Sequence, residues 1–347
     1  MSKIKKSYIL ISILLSFVPL TAASELPAAT DLFQLTNSSS AEYDPSWAPD
    51  DSKLVYTVDG RYGYELWTMD LQGSNRIMYL RSPDWLGQSD WGDNGILYTS
   101  QYSFWRDRHH DIWITEGEEN IPKQLSTNKT DQKNPSWNHN NTKILYLGRV
   151  NYDYEIWTME PDTSNITRLT FYQTTVDTPA WSPDGSRIVY SFEGDLWVMD
   201  ADAANNVQLT NDSYEQLDPA WSPCGKWIAY SSDENGDFDI FIIKPDGTDN
   251  TALIQESRDQ TQPDWSHDGT KLAYTTYQDL NLDVWAADIY IPPDQNTTPT
   301  PTPMHTQIVV DEEAEGHISR LIILGGMIAI LIVLVFISRI AKGLKKR

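Results

Sequence analysis

The sequence predicts an all-β fold. It is a six-bladed β-propeller of four-stranded blades, closed by an N-terminal strand and followed by one C-terminal transmembrane helix. Three observations carry this prediction. A Trp-centred phrase recurs six times at a near-constant interval. Between copies the apolar segments are only 4–7 residues long and bounded by Pro, Asp, Asn and Gly. Near the C-terminus one apolar run is long enough to cross a bilayer.

The phrase reads DPSWAPDDSKLVY at 44–56, SDWGDNGILY at 89–98, NPSWNHNNTKILY at 134–146, PAWSPDGSRIVY at 179–190, PAWSPCGKWIAY at 219–230 and QPDWSHDGTKLAY at 262–274. Trp47, Trp91, Trp137, Trp181, Trp221 and Trp265 are spaced 44, 46, 44, 40 and 44 residues apart. Such a period signals stacked repeats or propeller blades. No segment of 30–290 sustains an i, i+3, i+4, i+7 stripe, which argues against helical repeats. A second phrase follows each copy, as in YELWTMD (64–70) and GDLWVMD (194–200), and a third closes the unit, as in TRLT (167–170) and VQLT (207–210). Each unit thus reads as four strands separated by turn chemistry. The sixth unit shows no x-L-T strand of its own, while an unmatched FQLT stands at 33–36 before the first. The N-terminal copy is therefore expected to complete blade six and cover an open sheet edge.

With its PxWSPDGxxIxY phrase, the chain resembles the TolB-like propeller family, a WD-repeat-like group, over roughly 30–292. The fourth and fifth units match best. The second has WGDNG in place of WSPDG, and the third has NHNN in place of SPDG. The resemblance implies a propeller that acts through protein–protein contact at a cell envelope.

The two ends carry targeting chemistry. Residues 1–24 read as a secretory signal: Lys3, Lys5 and Lys6, an apolar stretch from Tyr8 to Leu20, then small residues ending at Ala23-Ser24. The propeller is assigned 25–292. A Thr/Pro-rich and acidic stalk follows at 293–318, where alternating Thr-Pro favours an extended spacer. A membrane helix is expected over 319–341, around the apolar run 321–337, and a basic tail over 342–347. Lys342, Lys345, Lys346 and Arg347 place that tail in the cytoplasm and the propeller outside. The expected product is a single-pass cell-surface glycoprotein. Its sequons are Asn37, Asn128, Asn140, Asn165, Asn211 and Asn296. The single Cys224 leaves no internal disulfide, so stability must come from burial and ring closure.

Between residues 25 and 319 lie 49 acidic and 17 basic residues, a formal charge of −32. Such a surface repels phosphate backbones and argues against nucleic acid as a partner. It suits cationic partners, divalent ions or simply solubility.

Chemistry-bearing motifs are few. No G-x-S-x-G pentapeptide occurs, and the S-P-D-G phrase places Gly directly after Asp, unlike a sialidase box, so no catalytic residue is assigned. His109 and His110 are adjacent on a strand and point to opposite faces, which disfavours a shared metal. DENGDFD (233–239) has the oxygen spacing of a short calcium loop near Asp233 and Asp237 but lacks the downstream bidentate Glu. It reads more simply as a hairpin turn. An acidic residue precedes the hydrophobic-Trp pair in every unit (Glu65, Asp111, Glu155, Asp195, Asp239, Asp283). Such a ring offers a cation site, yet a residue repeated in all blades more naturally bonds within its own blade.

The connections from second to third strand vary most. They measure 7, 11, 7, 3, 7 and 7 residues, and the long one in blade two is TSQYSFWRDRH (99–109). Its Tyr102, Phe104, Trp105, Arg106 and Arg108 are the residue types of binding hot spots, and they form the candidate partner-binding set. These loops share a face with the inter-blade loops, which also brings Tyr43, Tyr62, Tyr152, Tyr172 and Tyr214 there. The sequence therefore suggests a protein-binding scaffold at the envelope. A carbohydrate-binding or hydrolytic propeller, or a structural surface-layer component, is the alternative. A channel-mouth pocket gathering several carboxylates and a His would favour an enzyme; an aromatic face would favour an interaction module.

Overall fold

The computed structural model describes residues 26–104, 107–116, 121–126 and 130–292. The expected signal segment, stalk, membrane helix and basic tail lie outside these residues. Among the described residues no helix is long and apolar enough to cross a membrane.

Six antiparallel four-stranded sheets follow one another along the chain. In blade four the strands are Val176–Trp181, Arg187–Phe192, Asp195–Asp200 and Val207–Gln208, running from the innermost outwards. The other blades repeat this order. The innermost strands are Ala41–Trp47, Leu86–Gly92, Gln132–Trp137, Gln216–Trp221 and Asp259–Trp265. Blade six is completed from the N-terminus. Ala28–Gln34 pairs antiparallel with Asn281–Tyr290, giving the outer strand that its own sequence lacks. Beyond the ladder, Leu35 and Thr36 donate their backbone N–H to Val284 O. The FQLT segment thus closes the ring as expected, with the strand beginning five residues earlier.

The repeated letters have separate structural roles. Tyr56, Tyr98, Tyr146, Tyr190, Tyr230 and Tyr274, which the sequence placed at strand ends, lie inside the second strands and are all at most 2% exposed. Each sits in an apolar cluster shared with a neighbouring blade; Tyr146, for example, packs with Leu97 and Ile112 of blade two. The core is therefore six inter-blade seams, which the large aromatic area of the repeats fills. The S-P-D-G phrase makes the turn from first to second strand. Asp184 accepts hydrogen bonds from the hydroxyls of Ser182 and Ser186 and from Ser186 N–H, which holds its carboxyl down at about 2. Gly185 takes the left-handed conformation there (φ 68°). Blades one and three fill that slot with Asp51 and Asn141 (φ 57° and 53°). These residue types tolerate left-handed backbone, so the departures from S-P-D-G leave the turn intact. Cys224 is exposed in the equivalent turn of blade five, 3.3 Å from Ser222 Oγ.

One expectation is corrected. The long connection of blade two is not a loop. Gly95–Phe104 and Asp107–Glu116 remain paired through Tyr102↔His109 and Phe104↔Asp107. The extra residues extend the hairpin, because period-2 alternation of Thr, Gln, Tyr and Phe sustains a ladder. The seven-residue connections of blades one, three and six are likewise mostly strand. Blade five alone keeps a longer loop, between Ile228–Ser232 and Asp239–Ile243.

Candidate functional site

Two regions gather chemistry: the central channel and the face carrying the hairpins.

Each innermost strand contains a β-bulge, and at each bulge one residue adopts a left-handed backbone. These are Asp44, Gln88, Asn134, Thr178, Asp218 and Gln262, with φ between 39° and 55°. A bulge re-aims the local side chain and N–H. Here five of the six turned N–H groups meet the side chain of the preceding blade's equivalent residue. Gln88 N donates to Asp44 Oδ2 (3.0 Å), Asn134 N to Gln88 Oε1 (3.2 Å) and Asp218 N to Thr178 Oγ1 (3.1 Å). Gln262 N donates to Asp218 Oδ2 (3.3 Å) and Asp44 N to Gln262 Oε1 (3.3 Å). Gln262 Nε2 also donates to Asp44 Oδ1. Thr178 differs, its N–H turning to Asp177 Oδ1 of its own strand. A second tier lies two residues on: Trp47 N donates to Asp264 Oδ2 (2.9 Å), Trp91 N to Ser46 Oγ (3.2 Å) and Trp137 N to Asp90 Oδ2 (2.5 Å).

These tiers line a cavity of about 470 Å³. Asp44 and Asp90 are pushed up to about 6, Asp218 and Asp264 to about 7. Enclosure by protein is the main cause in all four. Neighbouring Asp44 and Asp177 add to it at Asp218, and Asp90 adds to it at Asp264. Lys133, on the channel wall 3.5 Å from Asp177, pulls Asp218 the other way. The channel therefore has the carboxylates of an acid–base site, but its described lining contains no His, and four of its aspartates are engaged in stitching blade to blade. Sequence reading missed this ring. The position before P-x-W varies between Asp, Gln, Asn and Thr, and what its members share is a side-chain oxygen.

The acidic residues before the hydrophobic-Trp pair sit away from the channel and bond within their blades. Asp111, Glu155, Asp195 and Asp283 accept from the hydroxyls of Ser126, Thr170, Thr210 and Thr36. Each of those hydroxyls in turn accepts the N–H of Ile112, Ile156, Leu196 or Val284. The x-L-T phrase and the acidic phrase are thus two halves of one latch. In blade one Glu65 instead takes Trp67 Nε1 and Arg81 Nε (both 2.6 Å).

The hairpins and the inter-blade connectors share a face, as Gln216 N to Gly194 O (2.9 Å) and Gln101 N to Trp85 O (2.7 Å) show. Of the aromatics expected there, Tyr62 and Tyr152 are 71% and 85% exposed, and Tyr214 is also exposed. Tyr43 and Tyr172 are half-buried, Tyr172 stacking on Phe192 at 4.4 Å. Phe171, Tyr277 and Leu280 add exposed apolar surface that the sequence reading passed over. Guanidinium groups accompany the rings: Arg61 lies 5.5 Å over Tyr62, Arg149 5.5 Å over Tyr152 and Arg168 4.5 Å over Phe171.

Of the candidate partner-binding set, Tyr102 and Phe104 lie on one strand of the blade-two hairpin and Arg108 on the other. Trp105 and Arg106 fall outside the described residues. His109 contacts Asp111 (3.2 Å) and His110 contacts Asp131 (3.1 Å), so the two rings serve separate carboxylates. Around Asp233 and Asp237 the chain makes a turn: Gly236 N donates to Asp233 O and Glu215 N to the Asp233 carboxylate. Among the described residues no group of three potential ligands could hold a metal. Of the sequons, Asn37, Asn140, Asn165 and Asn211 are exposed, although Asn165 Nδ2 is engaged by Glu160. Asn128 and Asn296 lie outside the described residues.

Residues 173–302 match the TolB beta propeller domain family. Over that stretch the chain is similar to TolB propellers. No curated protein sequence matches it. Among solved structures, TolB from Acinetobacter baumannii aligns with a TM-score of 0.59 at 18% identity over 66% of this chain. That alignment spans 58% of the Acinetobacter chain, so this chain covers little more than half of its length. A TolB candidate from Agrobacterium tumefaciens aligns at 0.57 and 18% identity, over 76% of this chain and 97% of its own. A gluconolactonase from Xanthomonas campestris aligns at 0.58 and 12% identity, over 77% and 95%. At these identities the likeness is one of fold, shared by binding proteins and enzymes alike.

Proposed function

We propose that this TolB-like propeller is an extracytoplasmic, membrane-anchored module that binds protein at the cell envelope through its hairpin face. The carrying observation is the set of exposed aromatic rings paired with guanidinium groups, Tyr62 with Arg61 and Tyr152 with Arg149, in a strongly acidic protein. Aromatic and Arg residues supply large contact area and directional bonds, the chemistry of hot spots. The blade-two hairpin, whose strands carry Tyr102, Phe104 and Arg108, is the longest on that face, and the candidate set Tyr102, Phe104, Trp105, Arg106 and Arg108 is proposed to act from it. Ala28 pairs with Tyr290 at the opposite face, where Ile289 N also meets Thr270 O of the S-H-D-G turn. The described residues therefore begin and end on the turn face, opposite the hairpins.

The enzymatic alternative would use the channel aspartates, and the lactonase likeness gives it a fold precedent. Those aspartates are engaged as inter-blade acceptors, which favours the interaction reading. The test is capture of envelope proteins by the 25–292 ectodomain, comparing wild type with Trp105→Ala, Arg106→Ala and Tyr152→Ala. Recovery should fall in each variant by about tenfold, the scale of a hot-spot residue. Equal recovery by all four proteins would refute the hairpin-face assignment.

A further inference from the structure

In blades one, four and six a single carboxylate holds the turn from first to second strand. Asp50, Asp184 and Asp268 each accept the backbone N–H and the hydroxyl of the residue two further on. Those residues are Ser52 (3.0 and 2.6 Å), Ser186 (3.0 and 2.8 Å) and Thr270 (both 2.8 Å). Blade three puts Asn140 in the same slot, between strands that end at Trp137 and begin at Ile144. Its Oδ1 accepts the Thr142 hydroxyl (2.5 Å) and Thr142 N–H (3.4 Å). A backbone N–H can only donate, so the amide oxygen of Asn140, and not its nitrogen, must face the turn. Asn138 grips Thr142 from the other side. Its Nδ2 donates to Thr142 Oγ1 (3.2 Å), and its Oδ1 accepts the N–H groups of Thr142 (2.9 Å) and Lys143 (2.8 Å).

The turn thus asks for an acceptor, which a carboxylate supplies in three other blades. The amide nitrogen of Asn140 is chemistry that the fold does not require. Asn140 and Thr142 are both exposed, and Asn140-Asn141-Thr142 is an N-x-T triplet. Asn165 heads a second such triplet in the same blade and makes the contrast. Its Nδ2 donates to Glu160 Oε1 (2.7 Å) from a left-handed backbone (φ 52°), so that nitrogen is committed to the turn between third and fourth strands.

We propose that Asn140 carries an N-linked oligosaccharide; the proposal rests on the extracytoplasmic reading above. The donor is a lipid-phosphate-linked oligosaccharide, presented by an envelope glycosyltransferase. Asn140 Nδ2 forms a bond to the anomeric carbon of the sugar. The bond from that carbon to the phosphate oxygen breaks, and the lipid phosphate leaves with the electron pair. One Nδ2 proton passes to a base of the transferase. The bonds of the turn to Asn140 run through Oδ1, so the attached glycan leaves the turn intact. Thr142 also lines a recess of about 480 Å³ with Lys143, Glu160 and Asp162, groups that bond sugar hydroxyls. This turn lies on the face opposite the hairpins, so a glycan here keeps the proposed partner surface clear.

The test uses the full-length chain made in its own source organism and isolated from that organism's membranes. Wild type is compared with Asn140→Asp, Thr142→Val and Thr142→Ser by tryptic digestion and mass spectrometry. Cleavage after Lys133 and Lys143 isolates residues 134–143, with Asn140 in their one sequon. Cleavage after Arg149 and Arg168 isolates residues 150–168, with Asn165 in theirs. Peptide 134–143 should carry the oligosaccharide in wild type and Thr142→Ser, and lose it in Asn140→Asp and Thr142→Val. Peptide 150–168 should stay unmodified. Asp is the letter that this turn uses in blades one, four and six, so Asn140→Asp should still melt cooperatively and its loss of glycan is no folding defect. An unmodified 134–143 peptide from wild type would overturn the proposal, as would a glycan that survives Asn140→Asp. Labelling intact cells with a membrane-impermeant amine reagent separates two failures. A chain that is labelled but unglycosylated loses the glycan alone, whereas an unlabelled chain loses the extracytoplasmic reading as well.

Discussion

At the scale of single residues, the channel aspartates show how the ring trades charge for connection. Asp218 and Asp264 hold inter-blade N–H groups and titrate near 7 because the surrounding protein disfavours their charged form. Their pKa is higher folded than unfolded, so between about pH 4 and 7 the native state binds more protons than the unfolded chain. Stability from these groups is therefore greatest below pH 4 and declines as pH rises through the folded pKa. Their contribution should make the propeller melt at higher temperature at pH 5 than at pH 8. Asp218→Asn and Asp264→Asn, which mimic the protonated form, should flatten that dependence and raise the melting temperature at pH 8. Calorimetry at both pH values checks this; an unchanged slope in the double variant would remove the channel aspartates from the account. These residues were hidden in the sequence because a left-handed bulge position followed by Pro-x-Trp or Ser-x-Trp selects a reaching oxygen, which Asp, Gln, Asn and Thr all provide. The letters differ while the bond is the same.

At the scale of elements, the repeat was legible because the burial that each strand needs fixes its letters. The Trp and Tyr positions fill the inter-blade seams, and their spacing alone counts six blades. The closing strand was legible for a related reason. A latch built from an acidic residue and x-L-T is incomplete in blade six unless FQLT returns to it, and Thr36 does bond Asp283 and Val284. Deleting 28–36 should expose the edge of Asn281–Tyr290, remove Leu35 from the seam between blades six and one, and lower the melting temperature by many degrees. Thr36→Val, which loses only the latch, should cost about 1–3 kcal/mol, because Val284 N–H loses its acceptor and Asp283 keeps only the bond from Gln34 Nε2. Unchanged melting in the deletion would contradict ring closure. The hairpin lengths were misread, because alternating polar and aromatic residues in blade two look like a loop unless their pairing partners are known.

At the scale of the whole molecule, a repeated scaffold carries a variable face. The channel is made of positions that recur and stitch the blades together. The hairpin face carries what differs between blades: exposed rings, guanidinium groups, one long hairpin and one acidic loop. The sequence pointed to that face through loop length and aromatic count. The central claim is that binding resides on this face and not in the channel. The most direct test compares Tyr62→Ser/Tyr152→Ser with Asp90→Asn/Asp218→Asn, both confirmed as folded, for recovery of bound protein from envelope extracts. The account predicts that the face variant loses binding while the channel variant keeps it; loss in the channel variant with full binding by the face variant would contradict it.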